Sequence, residues 1–123
     1  MKYLCLMYVR EALLDALPDG ERAALVAEST AYEEALASRG QLVASHALQR
    51  ASRASVVQVR QGSASRTDGA FADAKEQLSA FLLVEAPDLN AAIQIASNAP
   101  LARVGSIEVR PVAKVDRMEG SAP

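Results

Sequence analysis

Apolar residues occupy both parities of Lys2–Val9, with Tyr3, Cys5, Met7 and Val9 on one and Leu4, Leu6 and Tyr8 on the other. A continuous apolar run of strand length reads as a strand covered on both faces. Gln77–Glu85 repeats the pattern, setting Leu78, Ala80, Leu82 and Val84 against Phe81 and Leu83. A polar stretch follows the first run and ends in Pro18-Asp19-Gly20, where Asp19 is the expected N-cap and Glu21 sits in a first helical turn. Ala24, Leu25, Ala31, Tyr32, Ala35 and Leu36 then recur at helical spacing, and Gly40 is a stop signal. Leu42–Leu48 reads as a strand of mixed parity. Val56, Val57 and Val59 form a short strand, Gln61-Gly62-Ser63 turns the chain, and Ala64–Thr67 pairs back as a hairpin. Asp88 is placed to cap a second helix with the stripe Leu89, Ala92, Ile93 and Ala96, and Pro100 lies just past its end. Gly105–Val115 closes as a strand, with Ile107 and Val109 inward and Glu108 and Arg110 outward.

Two strand–helix–strand units, Lys2–Leu48 and Gln77–Val115, predict an α+β domain: a ferredoxin-like split βαβ fold with an inserted β-hairpin. Right-handed crossovers put both helices on one face of the sheet, with the first strand of each unit in the centre. The opposite face needs a cover, and a chain this short has no spare element for it. A second copy, packed sheet face to sheet face as a homodimer, is the economical answer. One domain spans residues 1–116, and the small, polar segment 117–123 is expected to fray.

Composition narrows the function classes. The chain has 123 residues, which leaves no room for a second domain. Of its apolar residues 25 are alanine, so Leu, Ile, Val, Met and five aromatics must supply the core. Lys plus Arg is 13 against 15 Asp plus Glu, a net charge of −2, which argues against a nucleic-acid binder needing a basic surplus. The apolar runs are strand-length, far short of the roughly 20 residues of a membrane span. Arg10, Glu11 and Asp15 follow the first run too closely for a signal peptide, so a cytoplasmic location is expected. Cys5 alone excludes a disulfide framework or a cysteine-clustered metal site, and no cofactor is implied.

The run Asp68-Gly69-Ala70-Phe71-Ala72-Asp73-Ala74-Lys75-Glu76-Gln77-Leu78 resembles the signature of the DGPF-domain, YCII-related proteins. The opening Lys2–Tyr8, the stretches Phe81–Glu85 and Asp88-Leu89, and the ending Gly105–Val112 are similar to that family as well. The resemblance implies a ferredoxin-like fold assembled as a dimeric α/β barrel, with a small-molecule cleft. It also implies a regulatory setting, since members are often encoded near extracytoplasmic-function sigma factors. Three departures stand out. Ala70 replaces the family's Pro and frees φ there. Ser79-Ala80 stands where a Gly is usual. The wider group has a His on the first helix paired with an Asp, where this chain has Ser29 or Thr30.

His46 is the only imidazole, and it is the candidate general acid/base with Asp68 as its orienter. The alternative for His46 is a polar residue at a sheet edge or dimer seam. Asp68 before Gly69 also suits a turn for purely structural reasons. Arg66, Lys75, Glu76 and Phe71 are the candidate substrate-binding residues: Arg66 and Lys75 for an anion, Glu76 as a base if desolvated, Phe71 as a lid or packing anchor. Lys75 and Glu76 read equally as a solvated pair. Arg50, Arg53 and Arg60 join Arg66 around the hairpin, where they can cradle a carboxylate or phosphate, or meet Glu33 or Glu34 of a partner subunit. Ser45 lacks a nucleophile elbow. The expectation is a small anionic molecule bound in a polar cleft between Leu42–Leu48, the hairpin and Asp68–Glu76, with an acid/base step. The alternative is a non-enzymatic, ligand-sensing or partner-binding dimer beside a sigma factor, which would bind its ligand without turnover.

Overall fold

A computed structural model describes residues 1–72 and 74–114; the segment expected to fray lies outside them. Six strands and three helices follow in the order β1 Lys2–Val9, α1 Glu11–Ala16, α2 Asp19–Ser38, β2 Leu42–Ala47, β3 Ser55–Arg60, β4 Ser63–Asp68, β5 Gln77–Glu85, α3 Leu89–Ser97 and β6 Gly105–Pro111. Short 3-10 turns occupy Ala51–Arg53 and Pro100–Arg103. β2, β5, β1 and β6 lie in that order in an antiparallel sheet, while β3 and β4 form a separate two-stranded ribbon. The fold is therefore α+β, with two interleaved βαβ units and the hairpin between them. β1 and β5, the strands apolar on both parities, are the central pair.

The two faces of the sheet differ sharply. Tyr3, Cys5, Met7 and Val9 of β1 are buried, as are Leu82 and Val84 opposite them on β5. Leu36 of α2 and Ala92, Ile95 and Ala96 of α3 close over this side and complete the core. Leu4, Leu6, Tyr8, Phe81 and Leu83 alternate onto the other side and stay half-buried, with no described element of the chain across them. On β6, Ile107 and Val109 pair with Met7 and Cys5 on the helix side. Glu108 and Arg110 pair with Leu6 and Leu4 on the open one.

Local signals account for most boundaries. Gly40 adopts φ +71°. Its N–H meets the Ala37 carbonyl at 3.0 Å and the Gln41 N–H meets that of Leu36 at 2.9 Å, a Schellman stop. Asp88 accepts the Ala91 N–H at 2.9 Å and caps α3 as expected. Gln61 and Gly62, both at positive φ, make the tight hairpin turn.

Four expectations need correction. The polar stretch after β1 contains helix α1, which buries no residue and is held by polar contacts described below. Asp19 is not the N-cap of α2: Pro18 takes that position, and Asp19 begins the helix, its carboxylate in the first turn. The inward stripe of α3 is Ala92, Ile95 and Ala96, whereas Leu89 and Ile93 are exposed. β6 ends at Pro111, short of the expected Val115, which lies outside the described residues, and the Val112 N–H donates to the Lys2 carbonyl at 3.0 Å just past it.

Gly105 sits where β6 meets the end of β1. A Cβ built there falls 2.2 Å from the Tyr8 carbonyl oxygen and 2.8 Å from Val9 Cγ2. We expect Gly105→Ala to cost about 1–3 kcal/mol, as overpacking does, seen as a lower urea midpoint. A wild-type midpoint would mean that the β1–β6 register yields freely.

Candidate functional site

Leu36, near the end of α2, is the residue that this helix buries, and its front half does not close down on the sheet. A cavity of about 560 Å3 results, within the range of small-molecule sites. Its walls are Leu25 and Val26 of α2, Leu14 of α1, the end of β2 with Leu48, and Leu82 and Leu101. Polar groups enter from Ser29, Thr30 and Glu33 on α2, from Asp15, Arg22 and Arg50 at the rim, and from Ser79. Ser79 is the extra residue of a bulge in β5, between the Met7–Ala80 and Tyr8–Leu78 pairs. The family-usual glycine position thus became a kink that lines the cavity.

Glu33 lines the cavity, and its Oε1 accepts a hydrogen bond from the Ser45 hydroxyl at 2.6 Å. Tyr32 donates its hydroxyl to the Ile95 carbonyl at 2.5 Å. Burial, reinforced by the nearby Cys5 and Glu33, pushes the Tyr32 phenol far up, so it stays a donor. Thr30 donates to the Val26 carbonyl at 3.1 Å.

Helix α1 forms one wall through polar clasps alone. Arg50 grips the Asp15 carboxylate through both terminal nitrogens, one contact at 3.1 Å. The Ala51 N–H donates to Glu11 Oε2 at 2.8 Å. Arg22 Nη2 reaches the carbonyls of Leu14, Asp15 and Leu17 at 3.3, 3.1 and 2.9 Å, satisfying the open end of α1. The Arg50 hydrogen bond holds the Asp15 carboxyl below its ordinary range, and Asp15 in turn pushes the Arg50 guanidinium up. Burial pushes the Cys5 thiol up, which removes it from thiolate chemistry.

The residues singled out in the sequence are spread more widely. His46 lies along the cavity wall through β2, but it pairs with Phe81, and its ring leans on the Phe81 ring at 5.7 Å between centroids. By strand alternation that is the open face of the sheet. Asp68 lies at the end of the ribbon, exposed, and takes Arg66 at 2.9 Å. The structure does not bring His46 and Asp68 together. Phe71 is 80% exposed, Lys75 is exposed and Glu76 half-buried, and none of the three lines the cavity. Of the arginines grouped around the hairpin, Arg50 alone reaches the cavity rim.

Sequence reasoning missed Glu33 as a cavity residue. A signal existed: Leu25, Ser29, Tyr32, Glu33 and Leu36 share one face of α2 at i, i+4, i+7, i+8 and i+11, so two polar residues interrupt an apolar stripe. Ser29 and Thr30, where the wider group carries its His, do line the cavity. Among the described residues no cluster of three or more His, Cys, Asp or Glu is arranged to hold a metal ion, and no helix is long and apolar enough to cross a membrane.

A solved structure, 5-chloro-2-hydroxyhydroquinone dehydrochlorinase from Burkholderia phenoliruptrix AC1100 in complex with 2,5-dihydroxybenzoquinone, shares this fold. It is 17% identical, with a TM-score of 0.54, over 92% of this chain and 94% of that one. No curated protein sequence matches the chain. The model of the YCII-related domain matches residues 1–116. With the split βαβ fold and a match over nearly its whole length, the chain belongs to the YCII-related domain family.

Proposed function

We propose that this protein binds a small, ring-sized molecule in the cavity between α2 and the sheet, and that it works as a dimer joined through the open sheet face. The observation that carries the reading is the cavity itself: about 560 Å3, mostly apolar in its walls, with polar groups at a few places. The fold neighbour's structure holds a dihydroxybenzoquinone, a molecule of suitable size, which supports the same use of the fold here. The dimer rests on Leu4, Leu6, Tyr8, Phe81 and Leu83, an apolar patch that no part of the described chain covers. His46 at its edge then stands at the dimer seam.

Titration with toluene and with resorcinol, followed by 1H–15N NMR, tests the binding site. Saturating shifts are expected at the amides of Ser29, Tyr32, Ala47 and Leu101. Ser29→Trp, which places an indole in the cavity, should remove them. Shifts elsewhere, or none with either probe, would overturn the reading.

A further inference from the structure

Among the described residues, both guanidinium groups at this cavity are already engaged by the protein. The Arg50 fork holds the Asp15 carboxylate. Arg22 Nη2 serves three carbonyls at the end of α1, and its Nη1 lies 3.5 Å from Asp19. The His46 ring rests against Phe81 on the far side of the sheet. The Tyr32 hydroxyl is directed at the Ile95 carbonyl. An anionic ligand would have to break one of these arrangements to find a cation, and would otherwise lie near an acid in an apolar enclosure.

Glu33 is in the opposite situation. Its half-buried carboxylate accepts one hydrogen bond, from Ser45 to Oε1, and has no ion-pair partner among the described residues. A carboxylate has about four lone-pair sites, so Oε2 of this cavity-lining residue retains its full accepting capacity. Its location inside the stripe Leu25–Leu36 of α2 puts that acceptor beside apolar walls. A ligand suited to both has an apolar body and a hydroxyl that donates. An ammonium would also donate, but it would give up the hydration of a full charge against walls that are mostly apolar.

We infer that the cavity selects an uncharged, hydroxyl-bearing ring over an anion, and that Glu33 reads the hydroxyl. This rests on the cavity being a small-molecule site, and it replaces the anionic ligand expected from the hairpin arginines. A hydrogen bond to a carboxylate is stronger than one between neutral groups, which makes Glu33 the main source of discrimination.

The test uses the full chain and four probes of similar size: toluene, resorcinol, benzoate and benzylamine at neutral pH. Resorcinol should bind at least tenfold tighter than benzoate and benzylamine. Glu33→Gln should weaken resorcinol about tenfold while leaving toluene unchanged. A smaller preference over either charged probe, or resorcinol binding untouched by Glu33→Gln, would overturn the inference while toluene binding keeps the cavity reading intact. Should Glu33→Gln also lose toluene, its cavity is damaged, and the wild-type order of the probes decides alone.

Discussion

Leu82→Ala is expected to destabilise the fold by about 2–5 kcal/mol, the range for deleting a large buried aliphatic group. Leu82 is 1% exposed at the centre of β5, paired with Cys5 on one side and Ser45 on the other. It lies in the core with Leu36, Val84 and Met7. The surrounding alanines of α3 cannot swing in to refill the space, because an alanine has no side-chain torsion to adjust. The cavity nearby makes the outcome informative. If the wall at Leu82 relaxes into that void, the loss falls toward the lower bound. Urea denaturation at fixed protein concentration measures it, with Val57→Ala, at an exposed ribbon position, as reference. Equal midpoints for the two variants would mean that Leu82 is not part of the packed core.

Leu6→Asp is expected to separate the proposed dimer while leaving each subunit folded. Leu6 is central on the open face, between Phe81 on β5 and Glu108 on β6. In a single chain the new carboxylate would remain reachable by water, since Leu6 is only half-buried there. Pressed against a second sheet it would lose that water without a partner, at a cost of several kcal/mol. Weakening of the dimer by about 100-fold or more corresponds to ~3 kcal/mol. Sedimentation at micromolar concentration should show the wild type at twice the chain mass and the variant at the chain mass, with unchanged far-UV circular dichroism. A wild type that sediments as a single chain would overturn the dimer, and a variant that stays dimeric would move the interface elsewhere.

Much of the architecture was legible because it is written in short-range patterns. Two strands apolar on both parities had to be central, and β1 and β5 are. Asp88 and the Gln61-Gly62 turn act through neighbours a few residues away, so their roles need no tertiary knowledge. Helix α1 was not legible, for a physical reason. It has six residues and no buried side chain, and its fastenings are Arg22, Arg50 and Ala51, the last two far along the chain. A helix that short has little stability of its own.

The candidate site divides along the same line. The sequence by itself determined a split βαβ sheet with helices on one face, and a family resemblance that the family match bears out. It also determined which residue types were available: one imidazole, scattered acids and a group of arginines. Which of these share a space was decided only in three dimensions. His46 follows Ser45 directly, yet strand alternation sends one ring toward Phe81 and the other hydroxyl to Glu33. Asp68, at the end of an isolated ribbon, meets Arg66 rather than the imidazole. Glu33 became a cavity residue because α2 buries only Leu36 near its end and leaves a void between its front half and the sheet. Local patterns of polarity specify which way each residue faces along its own element. The void between elements depends on how those elements pack, and only the folded chain contains that information.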